Sequence, residues 1–106
     1  MGACYQPPAW KVALRPLLRK AQGGDRARCA VCGDLLTAQV WADPRWNRAT
    51  FDHVIPRALR GLNGPGNMVL AHSGCNSWKG DRPPTGCELV WLLAVNARIG
   101  AEPLRW

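Results

Sequence analysis

Nowhere in these 106 residues do 18 apolar positions follow one another, so a membrane-spanning helix is excluded and no membrane partner is expected. No secretory leader opens the chain either, which makes an intracellular, cytoplasmic protein the expectation. There is no internal repeat and no low-complexity segment. Acidic residues are scarce, seven against fourteen lysines and arginines, for a net charge of +7. Such an excess concentrates polyanions and makes their binding salt-dependent, although charge kept for solubility gives the same count. An even disulfide framework is also lacking, because the five cysteines (Cys4, Cys29, Cys32, Cys75 and Cys87) are odd in number. A reducing compartment follows. The length suits one domain with limited apolar burial, so a structural metal would supply stability that packing alone does not.

The charge is uneven. Residues 1–28 carry Lys11, Arg15, Arg19, Lys20, Arg26 and Arg28 against Asp25 alone, and read as a basic arm. Within it, residues 9–22 hold apolar positions at helical spacing, with Pro16 expected to kink or restart the helix and Gly23 and Gly24 to stop it. A tight cysteine turn ends at Gly33. Residues 35–42 read as a strand and 43–48 as a loop. Two further β-prone runs, Ala49 to Ile55 and Met68 to Ala71, are separated by a segment rich in Gly and Asn. Ser73 is expected to cap a helix reaching about Asp81. Pro83 and Pro84 end it, and Glu88 to Ile99 reads as an apolar packing helix. Cys87 at its start reads as a small buried side chain, and Cys4 lies outside any site.

Cys29 and Cys32 are separated by two residues, and after 39 more His72 and Cys75 repeat that spacing. A two-residue spacer lets both side chains of a turn converge on one ion, and four N or S ligands complete the tetrahedron that structural Zn²⁺ favours. Burial as small apolar groups is the alternative for the cysteines. His72 is the ligand most open to another role, including one toward a second metal.

Four segments, CAVC at 29–32, FDHVIPRALRG at 51–61, GNMVLAH at 66–72 and CNSWKGD at 75–81, together resemble the HNH endonuclease family. The resemblance implies an α+β fold with a ββα-metal (His-Me finger) core over residues 29–82. A structural zinc staples that core, with the basic arm 1–28 before it and a packing helix in 83–106 after it. It also implies that Asp52 and Asn76 hold a catalytic divalent ion, Mg²⁺ or Mn²⁺ with Ni²⁺ admissible, and that His53 is the general base. Asn67 would brace the loop that presents that base, and Lys79 would contact a phosphate.

The residue chemistry agrees in kind. A carboxylate suits a hard cation, and an imidazole with a reference pKa of about 6.5 can take a proton from water near neutrality. Adjacent residues on a strand face opposite ways, so Asp52 and His53 need a twist or a strand end to share a site. Affinity for DNA is expected from Arg57, Arg60, Lys79, Arg82 and, on the arm, Lys11, Arg15, Arg19 and Lys20.

The implied reaction is hydrolysis of DNA phosphodiester bonds, by nicking or double-strand cleavage. A second copy or phage packaging proteins are conceivable partners. The rival reading is a non-catalytic zinc module that binds DNA, as in phage packaging, which needs the zinc and the charge but not Asp52, His53 and Asn76 together. A zinc-dependent protein-interaction module would use the six tryptophans as contacts but leaves the basic arm unexplained.

Overall fold

The computed structural model describes residues 7–100, so Cys4 and the last six residues of the 83–106 segment lie outside the described residues. Helix α1 spans Ala9–Ala21, strand β1 Ala49–His53, strand β2 Met68–His72, helix α2 Ser73–Lys79 and helix α3 Gly86–Ile99. The two strands pair antiparallel with Ala49 opposite His72 and His53 opposite Met68, and α2 follows β2 with no intervening loop. The result is a mixed α+β fold, a two-stranded sheet with a short helix directly behind it and longer helices on either side in sequence.

β2 is the centre of the molecule. All five of its residues are buried, and Val69 and Leu70 pack with Leu14, Leu18, Leu92 and Val95 from the two long helices. Burying each of these side chains contributes roughly 1.5–3 kcal/mol, which a chain of this size needs. Gln22, just past α1, closes β2 as an added strand would. Its Nε2 donates to the Leu70 carbonyl at 2.9 Å and its Oε1 accepts from the Leu70 N–H at 2.7 Å, both buried.

Several sequence expectations change. Residues 35–42 do not form a strand, and the segment makes only an isolated bridge, Arg28 with Leu35. Its backbone turns instead toward the cysteines. Pro16 sits inside one continuous helix, since a proline leaves only one backbone bond unmade and α1 is held by its buried Leu14, Leu18 and Ala21. Ser73 is the first helical residue and not a cap, because α2 starts at the strand end, where His72 occupies the capping position without a side-chain bond. α2 ends at Lys79, earlier than the sequence reading. α3 begins two residues earlier than expected, because the Thr85 hydroxyl accepts from the Glu88 N–H at 3.2 Å. Cys87 is exposed there, as are Val90 and Leu93, since only one stripe of α3 meets the core. No described helix is long and apolar enough to cross a membrane.

Candidate active site and metal centre

The ligand atoms of Cys29, Cys32, His72 and Cys75 all lie within 4.8 Å of one another. The first pair comes from a turn whose Ala30 N–H is bonded to the Leu70 carbonyl at 3.2 Å, so the knuckle is hung directly on β2. The second pair straddles the junction of β2 and α2. His72 presents Nδ1 to the sulfurs, 3.4 Å from Cys32 Sγ and 3.8 Å from Cys75 Sγ. Its Nε2 faces the Leu35 carbonyl at 3.0 Å. A carbonyl only accepts, so Nε2 carries the proton and Nδ1 keeps its lone pair for an ion, as an outer-shell partner does for a ligating histidine.

The backbone N–H groups of Val31, Cys32 and His72 stand 3.4, 3.5 and 3.4 Å from Cys29 Sγ, and Trp41 Nε1 donates to Cys75 Sγ at 3.3 Å. Donors converging on sulfur fit thiolates. Without a cation, burial and the neighbouring thiols oppose ionisation and push Cys75 up to about 12. A dication reverses that cost, and the set of three sulfurs and one imidazole nitrogen is the donor chemistry of structural zinc. The residues fit the ion.

His53 ends β1 with its ring partly exposed and its Nε2 2.9 Å from Asn63 Oδ1. With that amide oxygen accepting, Nε2 holds the proton and Nδ1 keeps its lone pair. The loop carrying Asn63 is shaped by Asn67, which is fully buried. Its Oδ1 accepts from the Ile55 N–H at 2.9 Å, and its Nδ2 donates to the Ile55 and Leu62 carbonyls at 3.0 and 2.9 Å. The approach is tight enough to demand glycine at 61, where a Cβ would sit 1.8 Å from the Ile55 oxygen.

Asp52 goes the other way. Strand alternation turns its side chain inward, where it is 1% exposed and accepts from Lys79 Nζ at 3.0 and 3.2 Å. Lys79 is 2% exposed and also donates to the His53 and Val54 carbonyls, both at 3.0 Å. Glu88 of α3 brings a second carboxylate oxygen 3.1 Å from the same ammonium, an ion pair without a directed hydrogen bond. Burial pushes Asp52 above the usual carboxylate range, against the lowering effect of Lys79 and with Glu88 adding to the rise.

Two expectations are corrected by this arrangement. Lys79 does not face a phosphate, because its three N–H donors are spent in the interior. Asp52 and His53 side chains are not brought to one site, because β1 stays regular through both. Asn76 does reach β1, donating from Nδ2 to the Phe51 carbonyl at 3.3 Å. A hard divalent ion at Asp52 would have to share the carboxylate with an ammonium, so the residues as arranged do not fit that ion.

Of the other basic residues expected to meet DNA, Arg57, Arg60, Arg15, Arg19, Lys20 and Arg82 are exposed and Lys11 partly so. Arg82 is partly committed, with its guanidinium stacked 4.2 Å from the Trp78 ring and its Nε bonded to the Lys79 carbonyl at 2.8 Å. Asn63, Gln22 and Glu88 carry no site signal in the sequence, and Trp41 counts there only among the tryptophans. Each acts through a contact across at least nine residues, for which no local spacing exists.

The HNH endonuclease family model matches residues 29–82, the segment that contains both knuckles, both strands and α2. The chain belongs to the HNH endonuclease family. No curated protein and no solved structure matches it significantly. Family membership places the zinc cluster and the His53 end of β1 within one nuclease-type domain, and the family's substrate class is DNA.

Proposed function

We propose that this HNH protein hydrolyses DNA phosphodiester bonds, with His53 as the general base. The observation that carries the reading is the presentation of His53: a partly exposed imidazole at a strand end, held by Asn63 through one nitrogen while the other is left to accept a proton. A water beside a backbone phosphate would give its proton to Nδ1 and attack phosphorus as the P–O ester bond opposite it breaks, so that one strand end leaves as an alcohol, taking a proton from solvent, and the other as a phosphate monoester. Asn63 and Asn67 act on that step by fixing the ring and its loop, and Arg57 and Arg60, in the turn just after β1, are placed to neutralise phosphates.

A divalent ion in this family would polarise the phosphate and stabilise the leaving oxygen. Asp52 and Asn76 are the oxygen ligands that the resemblance assigns to it, with Mg²⁺, Mn²⁺ or Ni²⁺ as occupants. Lys79 occupies Asp52 here.

That same pairing favours a second reading, a zinc-bearing DNA-binding accessory module that keeps the domain without the cleavage, as in phage packaging. One experiment separates the two. Purified zinc-loaded protein is incubated with supercoiled plasmid and Mg²⁺, Mn²⁺, Ni²⁺ or EDTA, beside His53→Ala. The nuclease reading expects relaxed or linear plasmid and a loss of roughly two to four orders of magnitude in His53→Ala, with DNA affinity unchanged. Intact plasmid under every condition, with DNA still bound, establishes the accessory module.

A further inference from the structure

We propose that Arg15, Arg45 and Arg48 form a second phosphate-binding site, which grips a DNA strand at the end of β1 opposite His53. It deepens the DNA reading above and rests on it. A cavity of about 540 Å³ opens between α1, the loop before β1 and the start of α2, lined by Arg15, Arg45, Arg48, Ala49, Thr50 and Ser73. Three arginines, a threonine and a serine line it, and no acidic residue does. The fork of an arginine matches phosphate oxygens two at a time, which suits the Arg15 and Arg48 guanidinium groups to a phosphodiester, while Arg45, whose Nε and Nη2 are bonded to Asp43, stands at the rim.

Two of the three arginines are held before any ligand arrives. Arg15 donates from Nη1 to the Ala49 carbonyl at 3.3 Å and lies over the Phe51 ring at 5.0 Å. Arg45 is fixed by Asp43, whose carboxylate accepts from its Nη2 at 2.7 Å and offsets one of the three charges. The loop bearing Arg45 and Arg48 is braced from inside by Asn47. This buried amide accepts from the Trp41 N–H at 2.8 Å and donates to the Trp41 carbonyl at 3.0 Å and to Gln39 at 2.9 Å. The Arg48 carbonyl accepts from the Ser73 N–H at 2.7 Å, tying the loop to α2.

The cavity also leads somewhere. Ala49, Phe51 and His53 share one face of β1, and Arg15 and Lys11 both lie over Phe51 between its ends. Four residues of strand span about 13 Å, the axial rise of roughly four nucleotides. A strand gripped at Arg48 would therefore run past Phe51 to His53, and the site sets where along the backbone the base acts.

The test measures binding of two short duplexes of unrelated sequence across roughly 50 to 200 mM salt, for the parent, Arg48→Gln, Arg45→Gln/Arg48→Gln and Arg26→Gln. Arg26 carries the same charge on a turn away from the cavity, and zinc content verifies folding. The double variant is expected to bind both duplexes about tenfold more weakly, with a salt slope shallower by about one phosphate contact, while Arg26→Gln behaves as the parent. Inorganic phosphate alone should compete only weakly, since one phosphate lacks the rest of the strand. Parent-like binding in the double variant overturns the site. Equal losses in Arg26→Gln and Arg48→Gln also overturn it, as undirected charge. Cleavage is not the readout, so an inert protein with the expected binding losses keeps this site while the nuclease reading falls.

Discussion

Helix α2 is held at its two ends by opposite chemistries. At its start, Cys75 joins three soft ligands around a place for zinc. At its end, Lys79 enters a buried cluster of hard charges with Asp52 and Glu88. Both clusters bind α2 to β1 or β2 and to one more element. They differ in what balances them. The thiols need an ion from outside to offset burial, whereas the lysine brings its own charge but meets two carboxylates. The first end is therefore strong and conditional on metal, and the second is always present but electrostatically unbalanced.

The largest expected effect breaks the first end. Replacing Cys29 by Ser, or removing the ion with a strong chelator, should unfold the chain, because binding free energies of about 10–16 kcal/mol in structural zinc sites are folding free energy. Loss of the thermal transition together with bound zinc checks this, and a folded, zinc-free protein would refute it. His72→Cys should keep both.

Lys79→Met breaks the second end. It leaves two buried carboxylates facing each other and should cost about 3–5 kcal/mol by denaturant unfolding, with zinc retained. The pH dependence has a definite sign. Asp52 is raised above its ordinary value of 3.8, so its folded state binds the proton more readily than the unfolded chain does. The associated stability is present below that value and is lost as pH rises through the folded pKa. Removing Lys79 raises it further, so the deficit of Lys79→Met should be smallest in acid and grow toward neutrality. A deficit independent of pH would mean that lost packing, not charge, is the cause.

A smaller effect sharpens the comparison. Glu88→Gln removes the carboxylate that makes no directed bond to Lys79, leaving the Asp52 pair with its charge balanced. Its cost should fall below about 1.5 kcal/mol, well short of Asp52→Asn, which loses the carboxylate charge and one of its two bonds to Lys79 and turns an amide N–H toward the ammonium. Smaller still, Thr85→Ala loosens the helix start that positions Glu88 and should cost about 1 kcal/mol. If Glu88→Gln proved the costlier acid change, Lys79 would be tied chiefly to α3 and not to β1.

The same two ends show how far the residues alone could be read. Paired two-residue spacings announce a metal knuckle because a turn brings its own ends together, so Cys29, Cys32, His72 and Cys75 were legible, as were two strands, the helix after them and the family. Asn67 stood out by motif, yet its three bonds to Ile55 and Leu62 needed the loop to close. Asn63 had no local signal at all, because its partner His53 is ten residues away and the contact exists only once Asn67 has folded the loop between them.

By itself, then, the sequence determined the ligand set, the basic balance and the α+β pattern, since each depends on residue type and short spacing. Only the tertiary structure decided which way Asp52, Lys79 and Arg48 face. Lys79 read as a surface phosphate contact because lysine is almost always solvated. It is interior because α2 starts directly from β2, which turns position 79 toward Asp52 and three backbone or carboxylate neighbours that compensate its lost hydration. Side-chain direction in so short a helix is set by where the helix is anchored, and that anchor is the end of β2, whose place in the core is fixed by packing against α1 and α3.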